Sequence, residues 1–365
     1  MIHHYIPDQP AFNWNQLKAE KVIDSKVLAQ PASKWTRAAL ILPSGSAMNS
    51  FSKVSVSRVL RLAGALAFFI VLAVPSFAAP NVVVTIKPVH SLAAAILEGV
   101  SEPKLLLEGG ASPHSYALKP SDAEAISGAD AIIRVSENLE IFLDKAIATI
   151  PEKTRVITLD KTPGLTLLPV RRGGGSMQHA TGEREGADEH EHDHGSMDVH
   201  FWLDPANAIV ISGYLAQQFG EMDPEHAAQY RANAEKLGAK LAALDAELKI
   251  TFKGLSDRPF IVFHDVTQYL ENRYALHGLG AVTLSPERPP GAKRLSDIRD
   301  KIRQAKAICV FSEPQVPPKL VEMLTEGAEA KSGVLDEIGA AIPSGPGQYF
   351  ALMRADAESL ASCLK

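Results

Sequence analysis

The chain has 365 residues, 46% of them hydrophobic and 22% charged, with 37 basic against 42 acidic side chains and a net charge of −5 at pH 7. That length suits two domains, and the ordinary balance of apolar and charged residues excludes a disordered or fibrous chain. The acidic excess argues against nucleic-acid binding, and the two cysteines, Cys309 and Cys363, allow one disulfide if the compartment is oxidising.

Residues 1–47 show no clear periodicity and precede a second methionine, Met48. They read as a non-native or misannotated N-terminal extension. Residues 48–78 have the form of a cleavable secretory signal: Lys53, Arg58 and Arg61, an apolar run over 62–74, then Pro75 to a cleavage point after Ala78. The run is shorter than the roughly 20 residues a spanning helix needs. Removing 1–78 takes away 8 of the 37 basic and 3 of the 42 acidic residues, leaving 29 against 39, a net charge of −10.

From residue 79 the pattern alternates strand and helix. Residues 82–86, 104–107, 131–135 and 155–158 are short β-branched or aliphatic runs, expected as strands. Helices are expected from Ser91 as N-cap to Gly99, from Ser121, from Leu139 and over 205–219. His90, after the first strand, is expected to cap or line a cleft. This alternation makes a parallel, doubly wound sheet, with sites in the loops at the strands' C-terminal ends. Residues 170–198 break the pattern as a His/Asp/Glu-rich flexible loop with His179, His190, His192 and His194, too polar for a core. Its imidazoles and carboxylates suit weak, exchangeable binding of divalent cations.

Asp223 as N-cap with Pro224 behind it opens a long helix over 223–255, with Tyr230, Leu237, Leu241, Leu244, Leu248 and Phe252 on one stripe. The stripe serves either as a spine between two lobes or as a short coiled-coil seam. A second set of strands follows at 260–263, 280–283, 307–311 and 333–335, with helices from Ser296, Pro317 and Gln348. The expected fold is therefore α/β, two doubly wound lobes (79–222 and 256–365) joined by a long rigid helix.

Three histidines sit at the special positions of this frame. His114 lies in the 110–122 run Gly-Ala-Ser-Pro-His-Ser-Tyr-Ala-Leu-Lys-Pro-Ser-Asp, His200 in the 198–205 run Asp-Val-His-Phe-Trp-Leu-Asp-Pro, and His264 in Phe-His-Asp at 263–265. Three imidazoles with a fourth carboxylate or water make a tetrahedral zinc set, whereas manganese favours oxygen. The same geometry also serves zinc hydrolases, which need a general base; Asp265 and Glu313 are the acidic residues near these loops, and no His-Glu-x-x-His motif is present.

These runs, together with Cys-Val-Phe-Ser-Glu-Pro-Gln at 309–315 and Ala-Ser-Cys-Leu-Lys at 361–365, resemble the periplasmic solute-binding proteins of bacterial high-affinity zinc importers, the ZnuA type of the metal solute-binding family. The resemblance covers about 81–365. It implies zinc as transported ligand, a metal site between the lobes formed by His114, His200, His264 and Asp336, and a monomer that delivers its ion to an ABC permease with its ATPase. It also implies a Cys309–Cys363 disulfide, a location in the periplasm and no enzymatic activity. Manganese- or iron-binding proteins and metal-binding adhesins of the same fold are the alternative. The sequence departs from the resembled pattern at Pro113, where relatives often carry a glutamate beside the ligand histidine, so the fourth position stays open between Asp336 and water.

Overall fold

In a computed structural model the described residues are 79–171, 197–283 and 291–365. The expected extension, the signal segment and the loop histidines His179, His190, His192 and His194 lie outside them.

The first sheet holds β1 (Val82–Val84), β2 (Lys104–Leu105), β3 (Ala131–Arg134) and β4 (Arg155–Thr158) in the order β2-β1-β3-β4, all parallel. β1 and β3 are buried throughout, as β-branched runs in the middle of a parallel sheet are. Between them run α1 (Lys87–Leu97), α2 (Pro120–Ser127) and the single-turn α3 (Asp144–Ile147). Helix α1 starts four residues before Ser91, because Pro88 in its first turn needs no N–H partner there. The Ser91 hydroxyl instead accepts a hydrogen bond from Tyr349 N, 3.0 Å away. The segment from Leu139 opens as a 3-10 turn rather than a helix: the Glu140 carboxylate takes the N–H groups of Val135 and Ser136 and the Thr85 hydroxyl, tying the ends of β1 and β3.

The second sheet repeats the plan with β5 (Phe260–His264), β6 (Gly278–Thr283), β7 (Cys309–Ser312) and β8 (Lys331–Val334), parallel in the order β6-β5-β7-β8. Its helices are α6 (Gln268–Tyr274), α7 (Ala292–Gln304), α8 (Pro318–Thr325) and α9 (Gln348–Leu364). α6 has no counterpart in the sequence reading: seven residues show no full apolar period. β5 alternates as a strand must. Ile261 and Phe263 enter a small core with Ile298 of α7 and Leu324 of α8. Phe260 and Val262 enter the large core that also contains β1, β3 and α1. By the same alternation His264 falls on the face turned to the first sheet.

Helices α4 (Pro205–Met222) and α5 (Ala227–Thr251) join the two sheets. α5 starts four residues after Asp223. That carboxylate receives the Tyr230 hydroxyl and the His226 ring, each at 2.7 Å, so it braces the turn from outside rather than capping a helical N–H. At 1.5 Å per residue α5 is about 37 Å long. Its stripe is buried within the chain, where α1, α4 and α9 cover it, so the apolar face is occupied without a coiled-coil partner. α9 also reaches β8, and Cys363 near its end is joined to Cys309 of β7 by a disulfide with 6.1 Å between Cα atoms. Among the described residues no helix is long and apolar enough to cross a membrane.

Candidate metal centre

His114 follows β2 in a loop that Gly109 turns with φ +67°. Gly110 lets this loop approach the second half closely: an added Cβ would lie 3.3 Å from Ala340 Cβ, and Gln315 Nε2 donates to Gly110 O. The loop ends where Pro120 starts α2, with Asp122 accepting the Lys119 N–H and the Tyr116 hydroxyl. His200 enters a 3-10 turn, Phe201–Leu203, and is buried. His264 is the last residue of β5, at the switch point of the second sheet where chain connections diverge to β6 and β7, the usual place for a ligand crevice.

Three distant segments thus bring three imidazoles together. Ring centroids are 5.7 Å apart for His114 and His200, and 5.1 Å for each of the other two pairs. One nitrogen from each ring lies within 4.8 Å of the other two. Imidazole nitrogens on a tetrahedral zinc are about 3.3 Å apart, given Zn–N bonds of 2.0–2.1 Å.

Carboxylates orient the two buried rings from behind. Asp198 Oδ1 lies 2.8 Å from His200 Nδ1 and also accepts the His200 N–H at 2.9 Å. His200 Nε2 is buried with no hydrogen-bond partner, so the tautomer that donates from Nδ1 leaves a lone pair aimed at the cluster. Glu313, just after β7, brings Oε1 to 3.2 Å from His264 Nδ1. This carboxylate-behind-imidazole arrangement raises ligand basicity and fixes the ring. Burial alone would hold His200 below the usual imidazole range, but the Asp198 charge and hydrogen bond outweigh it and raise the pKa. Glu337 adds a further buried carboxyl, which burial and then the nearby Glu313 push up to about 8.

Asp336 stands apart from the imidazole cluster. Its oxygens accept the N–H groups of Gly339 at 2.9 Å and Ala340 at 2.6 Å, bracing the turn after β8. Lys87 holds the same turn from the first half, donating to the carbonyls of Gly339, Ala340 and Ile342. His90 is also elsewhere: its Nε2 meets Pro103 O at 2.9 Å, and burial lowers its pKa. Of the two acids weighed as hydrolytic bases, Asp265 is bound by Arg171 at 2.7 Å and Glu313 stands behind His264. The sequence reading missed the roles of Asp198, Glu313 and Glu337. The Asp-x-His spacing at 198–200 was a usable signal for the first; the others are set by strand neighbours and left none.

Comparison with known proteins identifies the family. The family described as "ZnuA: Zinc-uptake complex component A periplasmic" matches residues 82–363. The high-affinity zinc uptake system protein ZnuA of Brucella abortus (strain 2308) is 46% identical over 305 residues, 78% of this chain and 91% of that protein. Its counterpart from Yersinia pestis is 34% identical over 301 residues, 80% of this chain and 93% of that protein. Among solved structures, a crystal structure of ZnuA superposes with a TM-score of 0.65 at 23% identity, covering 79% of this chain and 100% of the other, a likeness of fold. With residues 82–363 matched by the family and 46% identity over 305 residues to one relative, this protein belongs to the ZnuA family of periplasmic zinc-uptake components.

Proposed function

We propose that the protein captures zinc as its transported substrate at His114, His200 and His264 and delivers it to an ABC permease driven by its ATPase. The convergence of three imidazoles, two of them backed by carboxylates, carries this reading. An all-nitrogen set favours zinc over manganese or iron, which prefer more oxygen ligands. The acidic, exported chain inferred for residues 79–365 suits a periplasmic carrier acting as a monomer, with 79–222 and 256–365 as lobes on either side of a linking segment at 223–255. The Cys309–Cys363 disulfide fits an oxidising compartment.

Asp336 is a conditional participant in this reading, because both its oxygens serve the 336–340 turn; water takes the fourth position when they stay there. The run with His179, His190, His192 and His194 acts as a weaker accessory collector. Competition titrations against a zinc chelator test the whole assignment. Alanine at His114, His200 or His264 should abolish tight binding, Asp336→Ala should weaken it modestly, and deletion of 176–196 should remove only a weak phase. Full-strength binding by His264→Ala would refute the site. Manganese and iron, titrated in parallel, should fail to displace zinc.

A further inference from the structure

We propose that Arg171 is a positioning residue: by clamping Asp265 and Glu271 it holds the His200 and His264 segments together and slows zinc release. The inference rests on the zinc site proposed above and adds a residue outside its ligands.

Arg171 lies two residues after Pro169, which bridges antiparallel to Met197, the residue before Asp198. Its guanidinium reaches across to the segment after β5. Nη2 donates to Asp265 Oδ1 at 2.7 Å and to Glu271 Oε1 at 2.9 Å, while Nη1 donates to Glu271 Oε2 at 2.8 Å. The contact with Glu271 is bidentate, the geometry that a guanidinium satisfies and an ammonium does not. Thr267 orients the acceptor by donating its hydroxyl to Glu271 Oε1. The three side chains are mostly buried, with 21%, 10% and 12% of Arg171, Asp265 and Glu271 exposed.

Neutral bonds run beside this clamp. Leu168 N donates to the Tyr269 hydroxyl, which donates to Asp198 O at 2.8 Å, and Gln268 Nε2 donates to Pro169 O. The stretch behind His200 is therefore stitched to α6, and Asp265 is the neighbour of His264 in sequence. The charges explain why Arg171 matters most among these contacts. Asp198 and Glu271 both lie close enough to Asp265 to act on it electrostatically. Arg171 is the cation bonded to two of them; without it, acids on opposite sides of the contact repel and push the His200 and His264 segments apart. Zinc binding needs both segments at once, so a loosened clamp shows first as faster escape of the ion.

The experiment measures zinc release into excess chelator by stopped flow, with association measured separately, for the full mature protein. Affinity differences between closely related complexes lie mostly in dissociation, so Arg171→Ala, which loosens the held geometry without touching the ion, should release zinc about tenfold faster or more, with association nearly unchanged. Arg171→Lys should recover part of the loss, because it restores charge without the bidentate fork. Glu271→Gln keeps the shape of the acceptor and should move release in the same direction, which covers the case of an unstable alanine variant. Arg155→Ala, which breaks an exposed pair with Glu221 at the N-terminal end of β4, serves as the control and should behave as the parent. Release from Arg171→Ala and Glu271→Gln within twofold of the parent would overturn the clamp while leaving the zinc site standing. Failure of the parent to bind zinc more tightly than His264→Ala would instead overturn the site, and the clamp with it.

Discussion

In the proposed site, proton and zinc compete for one nitrogen on His200. Nδ1 is committed to Asp198, so the proton of the imidazolium sits on Nε2, where the ion binds. Because Asp198 raises the His200 pKa against the opposing effect of burial, protonation begins to displace zinc at a higher pH than the ordinary imidazole value of about 6.5 would give. Affinity should be flat at alkaline pH and fall as pH drops through the raised value. Asp198→Asn separates the two contributions of the carboxylate. It should move the fall to lower pH, since the charge that favours the imidazolium is gone, and also weaken binding at pH 8 by about 10- to 100-fold, since ring orientation and basicity are lost. A pH series of competition titrations on both proteins checks this; a fall at unchanged pH would show that His200 does not govern the dependence.

Helix α5 shows how one element serves both sheets. Tyr230, Leu237, Leu241, Leu244 and Leu248 recur at helical spacing and all enter the large core, while Ile250, outside that stripe, is 76% exposed. Leu241→Ala should cost about 2–5 kcal/mol, because the surrounding helices relax only partly into the space left. Ile250→Ala should change stability by less than about 0.5 kcal/mol. Urea denaturation of the two variants makes the comparison, and equal effects would mean that the helix is not anchored by this stripe. Asp245 on the same helix is bound by Arg273 and Lys249 and receives the Tyr274 hydroxyl, so the linking helix also holds the end of α6 through ionic contacts.

The chain closes on itself through α9, which returns from the second sheet to pack on α1 and α5. Near its start Tyr349 reaches across, donating its hydroxyl to Trp202 O and its N–H to Ser91 Oγ, while Gln348 holds Ile338 O in the turn after β8. Trp202, two residues after His200, donates its indole to Glu337 O. The disulfide ties the far end of α9 to β7 across a separation of 54 residues. In the chain-entropy account a loop of that length contributes about 4 kcal/mol. A Cys309→Ser, Cys363→Ser protein should lose up to that amount in chemical denaturation and keep its zinc affinity, since neither cysteine lies beside an imidazole of the cluster. Loss of zinc binding at full folding would show that α9 sets the metal site directly.

The order of strands and helices, the long helix and the three histidines were legible in the residues, because β-branched runs, the stripe on α5 and the punctuating glycines and prolines act over a few positions. The family resemblance rested on the same local runs. Helix starts were less legible: Ser91 and Asp223 look like caps, but their side chains serve Tyr349, Tyr230 and His226, partners chosen by packing or by a later turn. Only the tertiary structure decided that Glu313 stands behind His264 and that Lys87 grips the Asp336 turn from the other half. Those contacts join residues up to 255 positions apart. No local spacing encodes them; they arise because parallel strands of two sheets deliver their C-terminal ends to one crevice, where burial pushes most polar groups to find a partner.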